Sequence, residues 1–191
     1  MIVITGSIAS GKSTVCNILK ENGYTIVDAD LIARDVINPV VIRDIFGALY
    51  IKNGAIDRKA LGALIFENLK EKEKLNAYIH PLIRQQIYKD AQKLERNNAK
   101  YVVDIPLYFE STHYDAAIVA VVFCPKAVQI KRLMAREGMA QEDALMRIES
   151  QIDIEEKKKM ADFVIDNSQN FPHLMKETKR FMEFLDARIQ I

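Results

Sequence analysis

Apolar positions along this chain follow two alternating rhythms. Runs of β-branched and other apolar residues mark 1–5, 24–27, 101–104, 116–123 and 163–166, the third and fifth closing on Asp104 and Asp166, and such runs suit strands covered on both faces, as in a parallel sheet. Between them the spacing turns helical. Residues 13–22 place Val15, Ile18 and Leu19 on one face, with Gly23 where a helix end is capped. Short helical patterns at 31–37 and 40–46 are separated by Asn38-Pro39, Asn53-Gly54 marks a turn, and Asp57 is a fitting N-cap for a helix over 58–68 with Leu61, Leu64 and Ile65 inward. The charged run 70–74 reads as a solvated helix face. His80-Pro81 predicts the start of a helix of about 15 residues carrying Ile83 and Ile87. Cys124-Pro125 closes the fourth strand ahead of a helix from Lys126, Gly138 interrupts that helix, Gln141-Glu142-Asp143 restarts one, and 171–189 is a closing amphipathic helix. Strands alternating with helices predict an α/β fold of three layers, a five-stranded parallel sheet with right-handed crossovers and helices on both faces. Two helical excursions leave the sheet, at about 31–98 and about 131–160.

The first strand and first helix are joined by Gly6-Ser7-Ile8-Ala9-Ser10-Gly11-Lys12-Ser13, followed by Thr14. This fits the phosphate-cradling pattern G-x-x-x-x-G-K-[ST] in the strand-to-helix context that the pattern requires. Successive backbone N–H groups and the positive end of the helix dipole converge there on phosphates. Lys12 is expected to reach the β- and γ-phosphates of a nucleoside triphosphate, and the Ser13 hydroxyl to ligate Mg²⁺. The second strand ends in Asp28-Ala29-Asp30. Residues two apart on a strand share a face, so either both carboxylates project together beyond the sheet or Asp30 caps a helix beginning at Leu31. The third strand ends in Asp104, an apolar run plus Asp of the kind that positions Mg²⁺ in phosphate-loop enzymes. The stretch 131–151 carries Lys131, Arg132, Arg136, Arg147 and Gln151. It is either an ordinary exposed helical hairpin or a lid that folds over phosphates. A lone His80 before a proline more often caps or packs than catalyses.

Composition narrows the function without naming it. Lys plus Arg is 27 against Asp plus Glu 26, a formal net charge of +1 over 191 residues, so no global field attracts nucleic acid. Cys16 and Cys124 lack metal-ligand spacing and read as buried thiols of a reducing compartment. The expectation is one domain, cytoplasmic, with neither a secretory leader nor a membrane span, monomeric or weakly homo-oligomeric. No Asn-Lys-x-Asp segment occurs, which excludes a guanine-reading switch of the usual kind. A kinase for another small acceptor and a non-catalytic nucleotide sensor stay as alternatives, although a sensor needs neither an Asp30 carboxylate nor an arginine-bearing lid.

Taken together, the chain resembles the dephospho-CoA kinase family over nearly its whole length. The residues that carry the resemblance are the loop from Thr5 to Thr14, then Val27-Asp28-Ala29-Asp30 with Ala33-Arg34, and Phe46-Gly47 with Gly54-Ala55-Ile56-Asp57-Arg58. His80-Pro81, the segment from Asp104 to Glu110, the arginines of 132–147 with Gln151, and Ala161-Asp162 with Ile165-Asp166-Asn167 complete it. The resemblance implies transfer of the γ-phosphoryl group of ATP to the ribose 3′-hydroxyl of dephospho-CoA, with Mg²⁺, on a phosphate-loop kinase fold. The core would cover about 1–30, 99–130 and 161–191, the acceptor-binding helical region about 31–98, and the lid about 131–160. Asp30 would orient or deprotonate the hydroxyl, Lys12 and the loop (Gly6, Ser7, Ile8, Ala9, Ser10, Gly11, Ser13, Thr14) would hold the donor, and Arg136 would stabilise the transferring phosphate. Arg132 and Asn167 would lie on the ATP side, Asn167 near the adenine. Thr5, Arg34, His80, Arg84, Asp104 and Glu110 would lie on the acceptor side, with Asp104 also at the metal. Ser7 and Ala9 stand where the family commonly has glycine, and Tyr108 where it more often has leucine. A non-glycine residue is strained wherever φ is positive, so these two loop positions are where the backbone is expected to differ.

Overall fold

The computed structural model describes residues 1–111 and 114–188, so the predicted end of the last helix at Ile189 lies outside the described residues. In chain order the elements begin with β1 (Ile2–Gly6), α1 (Lys12–Glu21), β2 (Thr25–Asp28), α2 (Ala29–Asp35), α3 (Pro39–Phe46) and a short 3₁₀ turn. There follow β3 (Ile51–Lys52), β4 (Ala55–Ile56), α4 (Arg58–Glu67), α5 (Leu69–Arg96), β5 (Tyr101–Asp104) and β6 (Ile118–Phe123). The chain continues through α6 (Lys126–Glu137), α7 (Gln141–Glu149), α8 (Ile154–Met160), β7 (Phe163–Asp166) and α9 (Phe171–Arg188). Two compact units result, one of Met1–Asp28 with the chain from Asp90 onward, the other of Ala29–Lys89.

The first unit is built on a five-stranded sheet in the order β2-β5-β1-β6-β7, every pair parallel. Alternation sorts its side chains into two layers. Ile2 and Ile4 of β1 and Ile118, Ala120 and Val122 of β6 pack with Val15, Ile18 and Leu19 of α1 and Leu174, Phe181 and Leu185 of α9. Val121 and Phe123, on the opposite face of β6, pack with Ile154 of α8 and with Phe109. The five-stranded parallel sheet and its flanking helices are those that the apolar runs predict. Register aligns the carboxyl ends of the strands: Asp104 is the Cα partner of both Ile4 and Asp28, Gly6 of Val122, and Phe123 of Asp166. Ligands of open parallel sheets bind beyond such ends.

The second unit is helical around Ile42, Leu61 and Leu75. Asn38 caps α3 by accepting from the Val40 amide at 2.8 Å with Pro39 in the first turn, and Asp57 caps α4 by accepting from the Ala60 amide at 3.0 Å. The turn predicted at Asn53-Gly54 is present, as the tip of an antiparallel hairpin, β3 with β4, that the helical reading of this region does not include, both tip residues at positive φ (52° and 77°). Asn-Gly is the favoured pair for that turn, but strands of two residues leave no alternation to read. Pro81 does not start a helix; it lies inside the 28-residue α5. Proline there removes one N–H from the helical ladder and its ring crowds the carbonyl of residue 77, together a cost of roughly 3 kcal/mol. Leu75 before it and Ile83 and Ile87 after it are all buried, and that burial carries the helix through.

Candidate active site

β1 ends and α1 begins within a span that packing forces to be glycine at both ends. A Cβ on Gly6 would stand 2.6 Å from the Ser10 hydroxyl oxygen and 2.9 Å from the Val122 carbonyl oxygen. Gly11 has φ +97°, and a Cβ there would lie 2.0 Å from Asn167 Nδ2, so neither the backbone nor the space admits a side chain. The Ser10 amide donates to the Ser7 carbonyl at 3.1 Å, closing the loop on itself. Helix α1 opens with neither a side-chain cap nor an acidic residue in its first turn, which leaves its dipole and first N–H groups directed at the loop. Ser13 and Thr14 are exposed at that end.

The two non-glycine positions behave differently. Ser7 keeps an ordinary φ, whereas Ala9 is left-handed at φ 60°, a conformation that costs a non-glycine residue about 1–2 kcal/mol. Ala9 and Ile8 pack against the cluster of Leu133, Ala144 and Ile148 formed by α6 and α7. The methyl group that strains the loop therefore also joins it to the helical hairpin. Tyr108, the third departure, donates its hydroxyl to the Tyr114 carbonyl at 3.2 Å.

Arg132 and Asn167 grip the loop from behind. Asn167 Nδ2 donates to the Ser10 carbonyl at 2.8 Å, and Arg132 donates to that same carbonyl at 3.3 Å and to the Asn167 carbonyl at 3.0 Å. Asn167, just beyond β7, is buried, and its own amide donates to the carbonyl of Phe123, the last residue of β6, at 2.7 Å.

In front of the loop, the Lys12 ammonium pairs with Asp104 Oδ1, both side chains mostly shielded from solvent. Cys16 lies against the other oxygen, its Sγ 3.5 Å from Asp104 Oδ2. Burial above all, then the charge on Asp104, pushes the Cys16 thiol up to about 12, so it stays neutral. Because Asp28 is the register partner of Asp104, the strand-end carboxylate pair is Asp28 with Asp104 rather than Asp28 with Asp30. β2 stops at Asp28, and Asp30 is an exposed residue in the first turn of α2. β2 ends at Asp28 and α2 begins at Ala29, two residues before the helix start that the sequence suggests at Leu31, so Asp30 stands within the first helical turn. A carboxylate in a first helical turn is favoured by the dipole.

Thr5 is fully buried and donates its hydroxyl to the Pro106 carbonyl at 3.0 Å, while the Ile105 amide donates to the Ile4 carbonyl at 3.1 Å. Both bonds hold the turn after β5 against β1. That turn delivers Glu110, whose Oε1 meets Lys157 Nζ at 2.7 Å and accepts from the Ile152 amide at 3.1 Å. In the hairpin, Glu137 is held between Arg136 at 2.7 Å and Arg147 at 2.6 Å. The hydrogen bond from Arg136, helped by the charge of Arg147, holds the Glu137 carboxyl below its ordinary range.

In the second unit, Arg34 is exposed in the last turn of α2, and its carbonyl accepts from the Arg58 guanidinium at 3.0 Å. His80 and Arg84 are half-buried and four apart on α5, hence neighbours on one face.

A phosphate loop at the head of a parallel sheet, with a lysine–aspartate pair before it and an arginine hairpin attached, fits several kinases. The sequence model of the dephospho-CoA kinases matches residues 1–173. The chain belongs to the dephospho-CoA kinase family. It is 42% identical to the dephospho-CoA kinase of Sulfurimonas denitrificans over 189 residues, covering 98% of this chain and 94% of that one. It is 41% identical to the dephospho-CoA kinase of Enterococcus faecalis over 188 residues, with 94% of each covered. The solved dephospho-CoA kinase of Campylobacter jejuni superposes with a TM-score of 0.75 at 34% identity, covering 97% of this chain and 96% of that one.

The residue of this kinase that sequence reasoning missed is Lys157. It lies in a Glu-Glu-Lys-Lys-Lys run, a composition that usually lines a solvated helix face, yet it is completely buried. The available signal was spacing, since Lys157 follows the buried Ile154 by three residues and so shares its face of α8.

Proposed function

We propose that this kinase transfers the γ-phosphoryl group of ATP to the ribose 3′-hydroxyl of dephospho-CoA, giving coenzyme A and ADP. The observation that carries the reading is the glycine-bounded loop at the head of α1 with Lys12 set on Asp104, in a chain of this family. ATP is the co-substrate that such a loop serves.

Phosphoryl transfer asks the protein for positioning and charge stabilisation more than for covalent chemistry. The bond from the hydroxyl oxygen to the γ-phosphorus forms as the bond from that phosphorus to the β-phosphate oxygen breaks, and the hydroxyl proton passes to the Asp30 carboxylate. Lys12 and the backbone amides from Gly6 to Thr14 hold the donor phosphates. Arg136 stabilises charge on the transferring group, exchanging Glu137 for phosphate oxygens. Arg132 and Asn167 serve the donor side by fixing the Ser10 carbonyl. Thr5, through the turn it braces, and Asp104, Glu110, Arg34, His80 and Arg84 are assigned to the acceptor side. One Glu110 oxygen, Oε2, is buried and has no hydrogen-bond partner among the described residues.

The donor chemistry suits Mg²⁺, a hard cation that prefers oxygen and retains several waters. Ser13 and Asp104 offer a hydroxyl and a carboxylate, and among the described residues no group of three or more His, Cys, Asp or Glu forms a closed metal cage. Bound there, the ion would neutralise charge on the β- and γ-phosphate oxygens. No helix of the described residues is long and apolar enough to cross a membrane, and an ATP-consuming enzyme with two free buried thiols suits the cytoplasm.

Phosphorus NMR of the product tests the regiochemistry. A new phosphomonoester resonance on the ribose 3′ position of dephospho-CoA is expected, and phosphate appearing only as the free ion would contradict the reading.

A further inference from the structure

Beneath the phosphate loop lies a charge that neither the motif nor the family's acceptor residues require. Lys157 of α8 has no solvent exposure, pairs with Glu110 at 2.7 Å, and directs its ammonium at the Gly6 carbonyl at 3.5 Å. A buried lysine is not the economical way to fill a core, because its desolvation is costly and an apolar side chain of similar length often packs as well or better. What an apolar side chain cannot do is donate to several acceptors at once. Lys157 has two here, and they belong to different segments: the last residue of β1, where the ladder gives way to the loop, and the turn that follows β5.

The same strap reaches the loop a second time. Gln151, where the chain leaves the arginine hairpin, accepts from the Ile8 amide through Oε1 at 2.9 Å. The next amide, Ile152, donates to Glu110 at 3.1 Å. Residues 151–157 thus hold both sides of the loop entry, Gly6 and Ile8, and join them to the end of the hairpin. Gly6 has no slack in this position, being closed in by Ser10 and the Val122 carbonyl.

We infer that Lys157, with Gln151, is a positioning residue for phosphoryl transfer. The Lys157–Glu110 pair fixes where the phosphate loop starts relative to the turn after β5, and Gln151 passes that position on to the arginine hairpin. The inference rests on the kinase reading above. Misplacing a loop that aligns reacting groups costs on the order of 10²-fold in rate for a shift near 1 Å, and that loss appears in the chemical step more than in ATP binding.

The experiment compares wild type, Lys157→Met, the double variant Lys157→Met/Glu110→Gln, and Gln151→Ala, each measured for Tm, for Kd of a non-hydrolysable ATP analogue, and for kcat with dephospho-CoA. Lys157→Met alone leaves the partly buried Glu110 carboxylate without its ion-pair partner and is expected to lower Tm and kcat together. The double variant removes that charge; its Tm is expected to recover while kcat stays about 10²-fold low and the analogue Kd moves much less. Gln151→Ala does not touch the buried pair and serves if the Lys157 variants fail to fold. Its Tm is expected to hold while kcat falls about tenfold, the loss expected of one hydrogen bond. Recovery of kcat along with Tm in the double variant, or an unchanged kcat in Gln151→Ala, overturns the inference and leaves the strap a purely structural element. A wild-type enzyme that releases no ADP with dephospho-CoA contradicts the kinase reading itself, and this inference with it.

Discussion

Replacing Asp30 by asparagine is expected to lower kcat by about 10²–10⁴-fold, the usual contribution of a positioned proton acceptor, while the affinity for ATP stays close to wild type. The substitution keeps the size of the side chain and a residue type that suits a helix start. Asp30 lies exposed in the first turn of α2, so the fold should tolerate the change, and what is lost is the ability to accept the hydroxyl proton. A loose transition state releases that proton late, so a carboxylate at this position can take it up. Equilibrium binding of an ATP analogue, set beside steady-state turnover, separates the two effects. Turnover equal to wild type would remove Asp30 from the catalytic role.

Lys12→Ala should impair the chemical step as well as donor affinity, with kcat reduced about 10²–10³-fold, as when one preorganised charge-stabilising donor is removed. In the free enzyme Lys12 sits on Asp104, a carboxylate that is itself shielded from solvent. Its removal leaves that charge uncompensated, so a lower Tm is also expected. Single-turnover rates at saturating ATP isolate the chemistry from binding. Rates matching wild type under those conditions would show that Lys12 acts in donor affinity alone.

The parts of the site that were legible in the sequence are those set by local spacing. Gly6, Gly11, Lys12 and Ser13 belong to one turn of chain between a strand and a helix, so their relation survives without any knowledge of the rest. The five strands were legible for a similar reason: buried parallel strands are unbroken apolar runs. Other features depend on segments far apart in sequence. Nothing near Asn167 says that its amide will occupy the space a Cβ on Gly11 would need, and nothing near Asp28 says that its strand-end partner is Asp104. Lys157 was hidden by its neighbours, since a lysine run looks solvated until helix periodicity turns one member inward. Pro81 misled because a local rule about helix starts was overridden by burial on both sides of it. Ala9 is an intermediate case: the missing glycine could be seen, but its left-handed backbone and its packing against the hairpin were visible only in the folded chain.

The central claim is that the phosphate loop is the donor half of a kinase site whose acceptor is dephospho-CoA. ADP release from ATP and Mg²⁺, measured with dephospho-CoA, with adenylate, with shikimate and with no acceptor, tests it most directly. Release that rises well above the acceptor-free rate only with dephospho-CoA is the predicted result; equal release across all four conditions, or none in any, would contradict it.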